Sequence, residues 1–218
     1  MLSKTKSFQL LPHEIVDSLP VVSVERDTVF IPLIKQKKIR LYYILKGSVE
    51  CFSISVTGKE FVVDRLKEGN FIGKFSQMRS RDFKCGIRSL TDLTLIDFTD
   101  RAEELFEKYP DFYIAFLKET TDYVYGMYKI ALLNTQFSYE EIFAYWLLKK
   151  QNQKHVVSDI DEAFGNMFIS ERHEYNLLKS FRKRGLIDSG RGRRNIRLLE
   201  TEMLQDLAWD IFEFMDEP

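Results

Sequence analysis

Cysteine is nearly absent from this sequence: Cys51 and Cys85 are the two in 218 residues. Two isolated cysteines make neither a disulfide framework nor a four-thiolate zinc or iron–sulfur site. Both are expected as small core residues rather than a regulatory couple, since no sequence feature brings them together or activates either thiol. Histidine is as sparse. His13, His155 and His173 stand far apart without ligand spacing, so neither a metal nor a cofactor is expected. No apolar run approaches the roughly 18 residues of a membrane-spanning helix. Met1-Leu2-Ser3-Lys4-Thr5-Lys6 leads into no long apolar stretch, so no secretory signal is read and a cytoplasmic location is expected. Net charge is −1, which by itself argues neither for nor against nucleic acid. A hydrophobic content of 44% is ample for a packed core and excludes global disorder.

What is present changes character along the chain. In the first hundred residues Phe52, Ile54 and Val56 alternate with Ser53, Ser55 and Thr57, the period of a half-buried strand. Thr57-Gly58-Lys59 turns into a second apolar run, Phe61-Val62-Val63. Residues 93–98 form another β-rich stretch, and Gly47, Gly58, Gly69, Gly73 and Gly86 punctuate the region. Many short strands joined by glycine turns predict a sandwich or barrel.

From Pro110 to Phe137 the period becomes helical. Leu117, Thr120, Val124, Met127, Ala131 and Asn134 step by three and four residues, a coiled-coil seam in which Asn134 would set the register. Phe116, Tyr123, Ile130 and Phe137 recur every seven residues beside it. So wide a stripe can face a partner helix and its own β-domain together, and a homodimer is expected.

Ser138, with Glu141 three residues on, predicts a capping box for the next helix. Ser158 and Asp159 are read as the cap of a short helix, and Ser170 as the cap of another whose Leu177, Leu178 and Phe181 face a core. That helix should stop at Gly185. Two apolar edges, Leu186-Ile187 and residues 196–199, flank a glycine-rich basic turn and predict a β-hairpin. A last helix starts at Thr201 with Leu204, Leu207, Ala208 and Ile211 on one face. Residues 170–197 hold nine basic and three acidic side chains, a local net of +6 in a chain whose total is −1. Such a segment is an electrostatic footprint for phosphates.

Taken in order, these segments resemble the cyclic-AMP receptor/Fnr (Crp/Fnr) family of bacterial regulators. The resemblance rests on Leu41-Tyr42-Tyr43-Ile44-Leu45-Lys46-Gly47-Ser48-Val49, on Gly69-Asn70-Phe71-Ile72-Gly73, on Tyr109-Pro110-Asp111, and on residues 170–187 and 196–199. It implies an α+β chain: an N-terminal antiparallel β-roll of the cyclic-nucleotide-binding, jelly-roll kind over residues 1–109, a dimerisation helix over 110–137, and a C-terminal winged helix-turn-helix over 138–218. By position it implies that Glu171, Arg172 and Asn176 read bases and that Ser170 and His173 touch phosphate, with Lys179 on the same basic segment. Arg191, Arg193 and Arg194 on the wing would touch phosphates.

The departures from the family pattern are specific. Lys74 and Lys84 stand where nucleotide-binding relatives carry a Glu for the ribose and an Arg for the phosphate, and Met127 and Tyr128 stand where small hydroxyl residues meet the base. Cyclic AMP is therefore not expected. Lys74 and Lys84 are expected on the surface, with binding of another anion as the alternative. Phe168 replaces the usual glycine of the turn and Glu174 a usual apolar residue. The implied partners are a near-palindromic DNA duplex, a second copy of the chain, RNA polymerase for an activator, and an unidentified small effector. Two other readings compete. A β-roll acting on a protein partner leaves the basic hairpin unexplained. A cupin-type enzyme needs clustered histidine and carboxylate ligands, and His13 is the sole histidine before residue 155.

Overall fold

The computed structural model describes residues 6–32, 40–58, 60–74, 85–160, 164, 167, 169, 171–188 and 194–215, with the side chains of 159, 171 and 194 excepted. Two compact units divide the chain, Met1–Tyr123 and Val124–Pro218.

The first unit holds two four-stranded sheets in which the paired strands are antiparallel. One has the order β1 (Val21–Val24), β8 (Leu93–Asp97), β3 (Tyr42–Lys46), β6 (Phe71–Ile72). The other has the order β2 (Val29–Ile31), β7 (Gly86–Ser89), β4 (Ser48–Ile54), β5 (Glu60–Lys67). Residues of alternating direction send Tyr42, Ile44, Leu93 and Leu95 of the first sheet into one cluster with Val49, Cys51, Leu66 and Ile87 of the second. The opposite face of the first sheet, with Tyr43, Phe71 and Ile96, packs on helix α2 (Ala102–Lys108) and the start of the long helix α3 (Pro110–Gln136) through Leu105, Phe112 and Phe116. Both faces of that sheet are thus covered.

The strand expected over 52–57 ends at Ile54, and residues 55–58 turn the chain. Val49 and Cys51 point into the interior cluster, whereas Ile54 and Val56 are exposed. Phe52 is buried on the other face, beneath the Arg88 guanidinium at 4.5 Å from its ring centre. Arg88 in turn bonds Glu50 at 2.8 Å and both carboxylate oxygens of Glu60 at 2.9 Å, so it straps three neighbouring strands.

The second unit contains the rest of α3, then α4 (Tyr139–Lys150), β9 (Val156–Asp159), α5 (Glu171–Lys183), the hairpin β10 (Ile187–Asp188) and β11 (Arg194–Leu198), and α6 (Thr201–Met215). The capping box forms as expected: the Ser138 N–H donates to Glu141 at 2.7 Å and the Glu141 N–H to the Ser138 hydroxyl at 3.3 Å. Strand order is β10-β11-β9, antiparallel throughout. Ser158 and Asp159 lie at the end of this strand; the short helix they were expected to cap falls largely outside the described residues. Their segment pairs with β11, a partner 35 or more residues away that local capping signals do not report. The hydrophobic cluster of this unit joins Leu133, Phe143, Leu147, Phe181, Ile196, Leu204, Ala208 and Ile211.

Phe71 is the centre of the first unit's aromatic packing. It is 1% exposed, with ring centres of Tyr43, Phe116, Phe98 and Phe112 at 5.0, 5.3, 5.4 and 6.3 Å. Phe71→Ala should lower the unfolding free energy by about 3–5 kcal/mol in urea titration, and Phe71→Leu by clearly less, because a cavity adds to the lost transfer term.

Candidate nucleic-acid interface and sensor site

Helix α5 is sharply two-faced. Leu177, Leu178 and Phe181 are buried, and Phe181 meets the Phe143 ring edge-on at 4.9 Å. Arg172, His173, Tyr175, Asn176, Lys179, Arg182 and Lys183 are exposed. The helix is seated at its far end by Glu140 of α4, whose carboxylate accepts from Ser180 at 3.2 Å and from Arg184 at 2.8 Å. Arg184 is thus engaged within the unit, while Arg172 and Lys179 present their charge on the outer face. Tyr175 was not singled out from sequence. At 61% exposure it stands three residues from Arg172 and four from Lys179, on one helix face. An aromatic between basic residues on an exposed helix face was the signal available. His173 packs against the Tyr139 ring at 5.1 Å, which holds the first turn of α5 against α4. Glu174 is half-buried.

The hairpin register is Ile187↔Leu198 and Asp188↔Arg197. Ser170, Arg191 and Arg193 lie outside the described residues, as does Phe168. For Glu171 and Arg194 the backbone alone is described, Glu171 as the first residue of α5 and Arg194 as the first of β11.

In the first unit, Lys74 is not on the surface: it is 6% exposed. Its ammonium lies 5.1 Å from the ring centre of Tyr123 on α3, within the electrostatic reach of Asp64 and Glu119. Burial pulls its pKa down and the two carboxylates pull it back up. Glu119 also accepts from the backbone N–H and the hydroxyl of Ser7, at 2.8 and 2.6 Å. The Tyr123 hydroxyl donates to Asp64. Burial raises the Asp64 pKa; the Tyr123 phenol, the Arg65 N–H and Lys74 oppose that rise. Lys84 lies outside the described residues. Met127 and Tyr128 belong to the second unit, Met127 half-buried and Tyr128 exposed.

The two cysteines, expected to be unrelated, are in contact. The Cys85 thiol donates to the Gly86 carbonyl at 3.5 Å, and the proximity of the two thiols moves their pKa values in opposite directions, Cys51 up and Cys85 down. Pairing of β4 with β7 brings them together, a register between segments more than thirty residues apart.

Along α3 the exposed stripe is offset from the expected seam. Ile114, Val124 and Tyr128 are exposed, as are Thr121 and Ala131, with Leu117 half-buried. Thr120 is buried, 3% exposed, its hydroxyl donating back to the Phe116 carbonyl at 2.7 Å. Asn134 is half-buried and donates to the Ile130 carbonyl at 2.8 Å. Phe112 and Phe116 claim the neighbouring face for the β-roll, which carries Thr120 inward with them.

With this geometry in view, the class is defined: a β-roll sensor-type domain and a winged helix joined by a long helix. Residues 31–109 match the family profile of the cyclic nucleotide-binding domain. The fold of the chain is that of the Crp/Fnr regulators. A Crp/Fnr-family protein of Eubacterium rectale superposes with a TM-score of 0.66 at 15% identity, over 94% of this chain and 98% of that one. A mutant CooA of Carboxydothermus hydrogenoformans gives 0.73 at 12% identity, over 94% and 96%. The c-di-GMP-responsive regulator CLP of Xanthomonas campestris gives 0.67 at 16% identity, over 88% and 97%. Comparison with curated proteins gives no significant match. The profile match and the shared fold bear out the Crp/Fnr resemblance and the α+β architecture. Among the described residues no helix is long and apolar enough to cross a membrane.

Tyr123→Phe should cost about 1–3 kcal/mol, the penalty of leaving a buried acceptor without its donor. Losing the phenol raises the folded pKa of Asp64 further above its unfolded value. The cost is then full above the folded pKa and fades as pH falls and Asp64 takes up its proton. Urea unfolding at about pH 7 and about pH 5 should show a larger deficit at the higher value.

Proposed function

We propose that this protein is a dimeric, sequence-specific DNA-binding transcription regulator of the Crp/Fnr type. The observation that carries the reading is helix α5: three apolar side chains hold it to the core while Arg172, Asn176 and Lys179 stand exposed on its outer face, next to a basic hairpin. In this reading α5 enters the major groove and Arg172, in its first turn, bonds a guanine in bidentate fashion, with Glu171 and Asn176 also on base edges. Ser170, His173 and Lys179 serve the phosphates, as do Arg191, Arg193 and Arg194 on the wing. The partner is a near-palindromic duplex whose half-sites lie roughly 34 Å apart, and RNA polymerase is a further partner for an activator. No catalytic step is part of this reading. Among the described residues no three His, Cys, Asp or Glu side chains gather as a metal-ligand set, which leaves the cupin alternative without support there.

The dimer is proposed to form through the exposed stripe of α3, in the register Ile114, Leu117, Thr121, Val124, Tyr128, Ala131. Val124→Glu at its middle should dissociate the protein by burying an unpaired charge; a wild-type chain that is monomeric by light scattering at micromolar concentration would sink the proposal. The effector of the β-roll, where one acts, is proposed to be other than cyclic AMP or cyclic GMP. Lys74 cannot accept the ribose hydroxyls that a carboxylate accepts, and its own charge is already balanced by Asp64 and Glu119. Calorimetry should show no micromolar binding of either nucleotide.

DNA binding at two salt concentrations, on specific and scrambled duplexes, tests the rest. Arg172→Ala should weaken the specific site by about 1–3 kcal/mol and scrambled DNA far less. Arg193→Ala should weaken both alike and flatten the salt dependence by about one counterion per half-site. Equal losses on both duplexes for Arg172→Ala would remove its base-reading role.

A further inference from the structure

Cys51 and Cys85 play no part in the reading above, yet the fold sets them side by side in one apolar cluster. Cys51 lies on β4 and is 9% exposed, packed in the interior cluster beside Val49, Leu66 and Ile87. Cys85 immediately precedes β7 and is half-buried against the same cluster. The register Cys51↔Ile87, Phe52↔Gly86 makes Cys85 the diagonal neighbour of Cys51 on one face of the sheet. Diagonal residues of an antiparallel pair lie about 7–8 Å apart at Cα and closer at Cβ, near the upper limit of about 7 Å for a disulfide. Two features give the pair room to close. Gly86 faces the Phe52 ring, and a Cβ there would come within 2.6 Å of that ring, so only glycine lets the chain press onto β4 beside Cys85. The pairing of β4 with β5 also shifts between Cys51 and Phe52, and such irregularities let a strand bend.

We infer that Cys85 and Cys51 form a reactive dithiol site whose substrate is a small hydroperoxide and whose product is an intramolecular Cys51–Cys85 disulfide. Cys85 is the attacking sulfur. It is the more exposed, its S–H rests on the Gly86 carbonyl at 3.5 Å, and the neighbouring Cys51 thiol holds its pKa below the ordinary thiol range, against the opposing effects of burial and of Asp64. Contact with Cys85 and burial push Cys51 up, so it keeps its proton until the second step. In the first step the Cys85 thiolate attacks the peroxide: an S–O bond forms and the O–O bond breaks. The leaving oxygen takes the proton that Cys85 had released and departs as water or an alcohol, which leaves a sulfenic acid. In the second step the Cys51 sulfur attacks Cys85: the S–S bond forms, the S–O bond breaks, and the hydroxyl leaves as water with the Cys51 proton. Two thiols lose two electrons and two protons to one hydroperoxide. A metal is the weaker occupant, since no third ligand joins the pair among the described residues. The charge felt by both sulfurs is that of Asp64, the residue to which Tyr123 of the long helix donates. Closure of the disulfide therefore takes place beside the contact between β5 and α3.

The test uses the full-length protein and hydrogen peroxide in slight excess, read by intact mass and by peptide mapping without reductant. The expected product has lost two hydrogens, carries one Cys51–Cys85 cross-linked peptide within a single chain, and returns to the starting mass with a thiol reductant. Cys51→Ser should stop at a sulfenic acid on Cys85 that dimedone traps. Cys85→Ser should slow reaction of the remaining thiol by about tenfold or more, because Cys51 lacks thiolate character. Should the serine variants fail to fold, the wild-type product alone decides. Two thiols unchanged after treatment, cross-links between chains, or oxidation of each sulfur without a link would overturn the proposal. Equal rates for Cys85→Ser and wild type would overturn the assignment of Cys85 as the attacking sulfur.

Discussion

Helix α3 has more neighbours to satisfy than one amphipathic stripe can serve, and most of the molecule follows from how its faces are shared. Phe112 and Phe116 are fully buried in the aromatic cluster under the first sheet. Thr120 continues that face inward and satisfies its hydroxyl on its own helix, the usual recourse of a buried threonine in a helix. Tyr123, the next in line, reaches Asp64. Beyond the division between the units, Leu133 enters the second core. At 3.6 residues per turn, the positions left over are Ile114, Leu117, Thr121, Val124, Tyr128 and Ala131, which step by three and four on a separate face. An apolar stripe of this length on the outside of a helix is what a partner helix would cover.

The polar cluster around Lys74 follows from the same sharing. A lysine and two carboxylates removed from water are costly unless they answer one another. Here the Tyr123 ring lies beside the ammonium, the charges of Asp64 and Glu119 favour it, and Ser7 supplies two donors to Glu119. Asp64 of this cluster also bears on both thiols.

The second unit divides the labour of one helix more simply. Burial of Leu177, Leu178 and Phe181 fixes which way α5 faces, and Glu140 clamps its end through Ser180 and Arg184. An exposed ion pair of this kind contributes little stability, about 0–1 kcal/mol, but it removes Arg184 from the outward-facing set. The basic residues that remain are those whose position on the helix points them away from the core.

Signals that act over three or four residues were legible in the sequence. Ser138 and Glu141 cap α4 because both halves of the capping box lie within one turn. Gly185 follows the end of α5 because its backbone accepts a positive φ, here 71°. The pairing of Ile187 with Leu198 was readable from two apolar edges around a glycine-rich turn. Long-range registers were not readable. Period-two alternation in β4 says that two faces exist, but both carry apolar side chains, and only packing between the sheets puts Cys51 inside and Ile54 outside. Nothing local to Lys74 reports that Asp64, Glu119 and Tyr123 come from other elements to bury it. Nothing local to Ser158 and Asp159 reports that their segment pairs with β11. Helix and turn chemistry is written within a few residues, so the sequence by itself determined the elements and their order. The contact of Cys51 with Cys85, the burial of Lys74 and the choice of face along α3 depend on strands and helices dozens of residues apart, and the tertiary structure alone decided them.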